Sequence, residues 1–394
     1  MDHLFWDGRI RIAMEDYLYS KNTSLEAKQA LLRYIETSPN FANPDPIINL
    51  EEYDLRLMFI PDLQRSYRKF TSSQRNNDGN FQFTTLQMSY LLLIPLGKLS
   101  DLVRNPMATI VPWLNLETYI SFMVRGRILD NVSTGTRAVS QTPPSSSCSQ
   151  LTDDTISICR NTDERDKCIA RDNGACILTG AAFPDVCPIL PFSINANDEG
   201  LAHYRTQHSL AMSLVDEKYL VNIPNLLGSE LGCSDKVWNM LCLHPALRQW
   251  WEKCLFGLKC LRIIPSPKSD GKCTIQLQFH WMPRNGLDPQ VYAQPDRDTF
   301  EKMLQIMSPQ EEDLTTELRN PCSQRLKTGN VFSLIMPEED ATKMKGMIDI
   351  QWANVKLATI SGAAGNWELL EHSPHEFDAN PDPVVYWDDG WSRE

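Results

Sequence analysis

The sequence lacks several features that would place it in a familiar class. Its most apolar run, YLLLIPLGKL, is too short to cross a bilayer and contains Pro95. No two cysteines have CxxC spacing, which argues against a ribbon-type zinc site, and no GxxxxGK[ST] loop is present to bind ATP. No repeat of solenoid length is visible. We therefore predict no membrane span, no metal and no cofactor.

The first residues also predict no secretory signal. The N-terminal MDHLFWDGRIRIAMEDYLYS has no cationic start followed by an apolar segment. The 11 cysteines of this 394-residue chain are then expected to be reduced, buried side chains rather than a disulfide framework. These features predict a cytoplasmic protein, with the nucleus as the alternative location, and they leave the oligomeric state undetermined.

Basic excess, the usual property of a nucleic-acid binder, is absent because the net charge is −12. The charge is unevenly distributed. Residues 286–394 hold 20 acidic and 9 basic side chains, so residues 1–285 are close to neutral. A phosphate-binding surface is therefore compatible only with the first two thirds of the chain.

The organisation of the chain predicts an α+β fold in four parts. Residues 1–135 form a mostly helical N-terminal region, and residues 136–160, rich in Ser, Thr and Pro, form a flexible linker. Residues 161–285 carry the most specific motifs. Residues 286–394 form a helical and acidic C-terminal region that packs on the preceding part.

Helical spacing and start signals locate the main predicted helices. In the N-terminal region the helical segments are SLEAKQALLRYIE, EEYDLRLMFIPDLQRSYRKF and TTLQMSYLLLIPLGKLSDLV, the last starting at Thr84 or Thr85. In the C-terminal region, SPQEEDLTTEL at 308–318 is also predicted to be helical.

The middle part predicts a hairpin, a helix and a strand. A short strand carrying Cys176 turns at Thr179-Gly180 and returns as a strand that runs to Pro191. One amphipathic helix, broken or kinked at Pro245, is predicted over the segment VWNMLCLHPALRQWWEKCLFGLKCL. CTIQLQFHWMPR, residues 273–284, alternates apolar and polar side chains and predicts a strand.

The spacing of these motifs resembles the HNH endonuclease-like domain common in fungal proteins. That family has the pattern RDxxxCxxTG, then xHIxP[FY], then WNx[IL]xL with a downstream histidine and aromatic residue. The matching positions cover roughly a third of the chain; they are Arg171, Asp172, Cys176, Thr179, Gly180, Ile189, Pro191, Phe192, Trp238, Asn239, Leu241, Leu243 and Trp251. The resemblance implies a ββα module with degenerate catalytic residues. It also implies a following helix over IDIQWANVKLATISGAAG, residues 348–365.

The resemblance also implies roles that this chain cannot fill. In the active form, a histidine takes a proton from water while a bound divalent metal stabilises the leaving oxygen. Carried over by position, the general base falls on Pro188, its neighbouring metal ligand on Cys187 and the helix ligand on Arg248. Only Asn239, which would orient the base, keeps the family residue. We therefore expect no metal-assisted phosphodiester cleavage at this site.

Several alternatives remain open for these residues. His244 is placed one turn earlier than Arg248 and is a candidate replacement ligand, with a surface histidine as the alternative. Cys187 is a candidate nucleophile if Arg248 lowers the pKa of its thiol; the alternative is a buried structural cysteine. Arg248, Trp251 and Arg171 are the predicted substrate-binding residues, although a tryptophan at this spacing is also typical of a buried core.

The sequence ends in VVYWDDGWSRE, which combines carboxylates with aromatic side chains. Trp387 and Trp391 predict that this end packs on the folded body and brings Asp388 and Asp389 to a pocket. There, paired carboxylates perform acid–base chemistry or hold a cationic substrate group. The alternative is a solvated acidic tail.

The same end resembles the DDxxE motif associated with arginine-containing cyclodipeptide synthases. Ser392 stands where the motif has its glutamate, and Glu394 comes two positions late. With Asp388, Asp389, Glu394, Cys187 and Asn239 as candidate catalytic residues, the resemblance implies a repurposed enzyme of fungal specialised metabolism. Its substrate would be aminoacyl-tRNA and its product a small arginine-containing diketopiperazine. The alternatives are an HNH endonuclease with a rearranged site and a non-catalytic nucleic-acid or protein interaction module.

Overall fold

The computed structural model describes eight continuous stretches and several isolated positions. The stretches are 52–74, 81–105, 116–124, 160–215, 223–266, 270–282, 284–304 and 326–370, and the isolated positions are 12, 15–20, 23–25, 28 and 47. Outside the described residues lie the predicted linker at 136–160 except Arg160, the predicted helix at 308–318, the acidic end at 384–394 and most of SLEAKQALLRYIE.

The N-terminal region is helical where it is described. Tyr53–Gln74 forms α1, Thr85–Leu93 forms α2 and Leu96–Arg104 forms α3, which confirms two of the predicted helical segments. Thr84 is the N-cap of α2 and takes part in a reciprocal capping box, as its position before the apolar run predicted. Pro95 divides the second segment into two helices because proline cannot donate the next backbone hydrogen bond.

The middle part begins with a capped helix and a strand pair. Thr162–Arg171 forms α5, capped by Asn161. The predicted hairpin around Cys176 is wrong in detail: its first half is only an isolated bridge between Ala175 and Ala182. The strand that follows, β2 at Asp185–Pro188, instead pairs antiparallel with β3 at Met240–Leu243.

The single amphipathic helix predicted over VWNMLCLHPALRQWWEKCLFGLKCL is wrong. This segment is a 3₁₀ turn at Val237–Asn239, then β3, then helix α8 at Pro245–Glu252, then β4 from Phe256. Pro245 begins the helix rather than breaking it, because the first helical position needs no N–H donor. The buried run Met240–Leu243 is apolar at every position, so helical and strand periodicity could not be distinguished there.

A three-stranded antiparallel sheet and one long helix form the second half of the described chain. The sheet has the order β4–β5–β7, with β4 at Phe256–Pro265, β5 at Lys272–Trp281 and β7 at Val331–Pro337. The strand predicted at 273–284 is therefore confirmed. Helix α10, Glu338–Ile360, follows β7 directly and packs on β4, which confirms the helix predicted at 348–365.

Shorter elements complete the described chain and tie its first and last thirds together. They are helices α4 at 116–124, α6 at Asp198–Leu214, α7 at Ile223–Gly228 and α9 at Arg297–Leu304, with strands β1 at Phe83–Thr84 and β6 at Tyr292–Ala293. Strand β1 pairs with β6, and the Tyr119 hydroxyl of α4 donates to Asn354 Oδ1 of α10 at 2.6 Å.

One large hydrophobic core runs through these elements, with α10 at its centre. The protein is thus a mixed α+β fold with small antiparallel sheets, as predicted. Among the described helices, none is both long and apolar enough to span a bilayer.

Candidate functional site

Strands β2 and β3 and helix α8 bring the predicted catalytic positions together. Cys187 lies opposite Leu241 and Pro188 opposite Met240 in the antiparallel pair. Helix α8 packs against β2, and the indole Nε1 of Trp251 donates a hydrogen bond to the Pro188 carbonyl at 3.3 Å. The position that the resemblance gives to a general base is therefore buried and holds a backbone contact instead of an imidazole.

Cys187 does not have the environment of a nucleophile. Its side chain is 2% exposed, and its thiol lies 3.6 Å from the Asp185 carbonyl. Burial raises the pKa of this thiol and outweighs the lowering effect of Arg248. The lowered pKa considered for Cys187 is therefore wrong, because desolvation of the thiolate is the larger effect.

Arg248 occupies the position of the helix metal ligand and is engaged by two carboxylates. Its Nε lies 2.9 Å from Glu252 Oε1, and its Nη1 lies 3.6 Å from Asp185 Oδ2. His244, the candidate replacement ligand, caps α8 instead: its Nδ1 accepts from the Ala246 backbone N–H at 3.3 Å. Both side chains thus hold local structure together.

Asn239 is fully used in backbone contacts. Its Oδ1 accepts from the Leu190 N–H at 2.9 Å, and its Nδ2 donates to the carbonyls of Leu190 and Ser234. Only 1% of the residue is exposed. The amide fixes the loop after β2 to the turn before β3, which is a structural role, and it leaves no group free to orient a base.

The predicted substrate-binding residues Trp251 and Arg171 lie on different sides of the strand pair. Trp251 is 1% exposed and packs 5.4 Å from the Phe256 ring, so its faces are not open to a base. Asp388, Asp389 and Glu394 lie outside the described residues.

Arg171 is the centre of a buried network that sequence reasoning did not identify. Its guanidinium forms a bidentate ion pair with the Asp172 carboxylate, with N–O distances of 2.7 and 2.8 Å. It also donates to the carbonyls of Val237 and Met240, which joins the end of α5 to the start of β3. Asp172 Oδ2 accepts from the Cys242 N–H at 3.0 Å, so both partners of this pair are saturated.

A group with metal-type ligands adjoins that network. Cys168, Asp172 and Cys242 place their side-chain ligand atoms within 4.8 Å of one another, and the two Sγ atoms are 3.8 Å apart. The hydrogen bond with Cys168, together with burial, raises the pKa of the Cys242 thiol and favours its protonated form. A metal ion here would also face the Arg171 guanidinium, which donates to Cys168 Sγ at 3.4 Å. The donor set therefore fits a hydrogen-bonded core better than a cation site.

An open cavity of about 340 Å³ lies beyond the outer side of Arg171. Its walls come from α5, the turn Val237–Asn239, the start of β5, the end of β7 and the first turn of α10. Arg171 and Trp238, both named by the resemblance, line it together with Lys272 and Asp340. No local pattern in the sequence could reveal this cavity, because its walls come from segments that are far apart along the chain.

No protein-family model, curated protein or solved structure matches this chain.

Proposed function

We propose that this protein is a non-catalytic binding module built on a repurposed HNH-like scaffold. The proposal rests on what the side chains do at the four positions that the family resemblance assigns to the catalytic site. Pro188 and Asn239 are tied into backbone contacts, Cys187 is a buried thiol and Arg248 is paired with Glu252 and Asp185. None of these groups is available to activate water or to ligate a metal ion.

Charge supports a partner other than nucleic acid. Non-specific binding to nucleic acid is driven by basic side chains that neutralise phosphates and release their counterions. A protein with a net charge of −12 instead repels a phosphate backbone. The cationic Arg248, which could contact a phosphate, is neutralised by carboxylates on its own helix and on β2. A protein or a small molecule is therefore the favoured ligand.

A plasmid-nicking assay tests the loss of nuclease chemistry. The purified full-length chain is incubated with supercoiled DNA and magnesium, manganese or zinc, and we expect no nicking above the buffer control. Variants Cys187→Ala and Arg248→Gln change the candidate site. Lys253→Gln, an exposed residue just after α8, is the matched control. Nicking that chelator abolishes, and that the first two variants lose while the control keeps it, would overturn the proposal.

The sequence favours a second candidate, aminoacyl-tRNA-dependent synthesis of an arginine-containing cyclodipeptide. The observation behind it is the Asp388-Asp389 pair flanked by Trp387 and Trp391. Mass spectrometry of metabolites from a clean expression host tests this function. A diketopiperazine that disappears in Asp388→Asn with Asp389→Asn, at unchanged protein level, would support synthesis over pure binding. Its absence from wild-type cultures would leave the binding module as the proposed function.

A further inference from the structure

The cavity beside Arg171 has the size and the walls of a small-molecule site. Its volume of about 340 Å³ lies at the lower end of the range typical of ligand pockets. Its apolar lining includes the Trp238 indole, Val237, Met336 and Ile335. Ile335 is 63% exposed, so the rim of the cavity presents apolar surface to solvent. A ligand that fills this space gains stability by burying an apolar group.

One carboxylate in the cavity lining forms no ion pair with any described residue. Asp340, in the first turn of α10, is half-buried, and within the described part of the chain its side chain makes no hydrogen bond or ion pair. Burial raises the pKa of this carboxyl. The nearby Lys343 pairs with Glu339 at 2.6 Å, and its charge and that of Arg171 lower the pKa of Asp340 less than burial raises it. Asp340 is therefore placed to receive a cationic group from a ligand.

One ammonium at the same cavity likewise forms no ion pair within the described stretches. Lys272 begins β5, and no carboxylate among the described residues lies at ion-pair distance from its side chain. By contrast, Lys167 on the α5 wall is paired with Glu164 at 2.9 Å, and Arg171 is paired with Asp172. Among the residues that the structure describes, the cavity lining thus includes one lysine and one aspartate that form no ion pair, on separate elements and beside apolar side chains.

We propose that this cavity binds a free amino acid with an apolar side chain in its zwitterionic form. Lys272 receives the ligand carboxylate, Asp340 receives the ligand ammonium, and the side chain packs against Trp238 and Met336. This inference extends the proposed binding role. The proposed function and this inference can be rejected independently of each other, because the result of the nicking assay does not depend on whether an amino acid binds.

Isothermal titration calorimetry of the full-length chain with a matched ligand series tests the assignment. The series is L-phenylalanine, 3-phenylpropanoate without the ammonium, 2-phenylethylamine without the carboxylate, and glycine without the apolar body. We expect saturable one-site binding of phenylalanine. Each incomplete analogue should bind about tenfold or more weakly, as the loss of one charged hydrogen bond or of the buried ring predicts. Equal affinity for phenylpropanoate or phenylethylamine would overturn the zwitterion assignment, and no saturable binding of phenylalanine would overturn the site.

Variants locate the binding. Asp340→Asn and Lys272→Gln should each weaken phenylalanine binding about tenfold. Asp340→Asn should no longer discriminate phenylalanine from phenylpropanoate, and Lys272→Gln should no longer discriminate it from phenylethylamine. The matched controls are Asp298→Asn, an exposed aspartate of α9, and Lys327→Gln, an exposed lysine elsewhere; neither residue lines the cavity, and both variants should bind as wild type. Melting temperatures within a few degrees of wild type confirm that each variant folds. Wild-type affinity in both cavity variants would overturn the proposal.

Discussion

The strand pair β2–β3 and the cavity beside Arg171 lie on two sides of one buried network and differ in how their polar groups are satisfied. At the strand pair, Asn239, Arg248 and Trp251 all bond to the protein itself. At the cavity, Lys272 and Asp340 lack a partner within the described chain. Groups that bond internally specify a fold, whereas unpaired charges at an apolar opening are available to a ligand. The residues singled out by motif are thus structural, and the available charges lie elsewhere.

The largest expected effect comes from breaking the network between the two regions. Arg171→Ala should lower the free energy of unfolding by about 3–5 kcal/mol, because it leaves the buried Asp172 carboxylate without its counter-charge. Urea denaturation measures the change. Arg165→Ala, an exposed arginine on the same helix, should change it by less than about 0.5 kcal/mol. A loss below about 1 kcal/mol for Arg171→Ala would show that the stability of the fold does not depend on the Arg171–Asp172 ion pair.

The next largest effect is expected at the half-buried Lys356 of α10, whose ammonium lies 5.8 Å from the centre of the Trp352 ring. Burial, with the like charges of Lys259 and Arg56, lowers the pKa of Lys356 from 10.5 to about 8. The unfolded state therefore binds this proton more tightly. The penalty is fully present below pH 8 and disappears as the pH rises to the ordinary lysine value.

Lys356→Met should then stabilise the protein at pH 7 by about 1–3 kcal/mol, since partial solvent exposure reduces the full effect of the shift. The advantage over wild type should shrink between pH 8 and 10.5. Chemical denaturation of both proteins across that range measures it. Lys343→Met, whose lysine pairs with Glu339 on the same helix, is the control and should not stabilise. A pH-independent difference would contradict the lowered pKa.

Asn239→Ala tests the structural role of a residue that the resemblance assigns to catalysis. We expect a loss of about 1–3 kcal/mol, because the buried N–H and carbonyl of Leu190 both lose their partner. Thermal and urea unfolding measure the loss. Gln249→Ala, at an exposed position of α8, should be nearly neutral. If Asn239→Ala kept wild-type stability, the contrast between the two regions would be weakened.

The smallest stability effect is expected at the cavity. The raised pKa of Asp340 means that the folded state binds this proton more tightly; the resulting loss of stability grows as the pH rises above the unfolded-state pKa and is fully present above the folded-state pKa. Asp340→Asn should therefore be neutral or stabilising by less than about 0.5 kcal/mol at pH 7, without an advantage at pH 3. Differential scanning calorimetry at both pH values measures this. A clear loss of stability would identify Asp340 as a structural residue rather than a ligand-binding residue.

Local signals in the sequence predicted the elements whose start or periodicity is unambiguous. The cap at Thr84 and the alternation of β5 each encode their element in neighbouring residues, whereas the helix within α10 was implied by the family resemblance. The single helix predicted from Val237 to Leu261 is wrong because four elements follow one another there, namely a 3₁₀ turn, β3, α8 and the start of β4. Tertiary pairing of β3 with β2 overrides its helical appearance.

By itself, the sequence determined the α+β composition, the main helices and the absence of a proton-accepting side chain at Pro188. Those properties depend on residue type and short-range spacing. Only the tertiary structure decided that the thiol of Cys187 is desolvated and that the side-chain amide of Asn239 forms hydrogen bonds with backbone groups. It also decided that Lys272 and Asp340, 68 positions apart, meet at one cavity. Burial and partnership are properties of packing between distant segments, and these properties set the pKa of a group and its availability to a ligand.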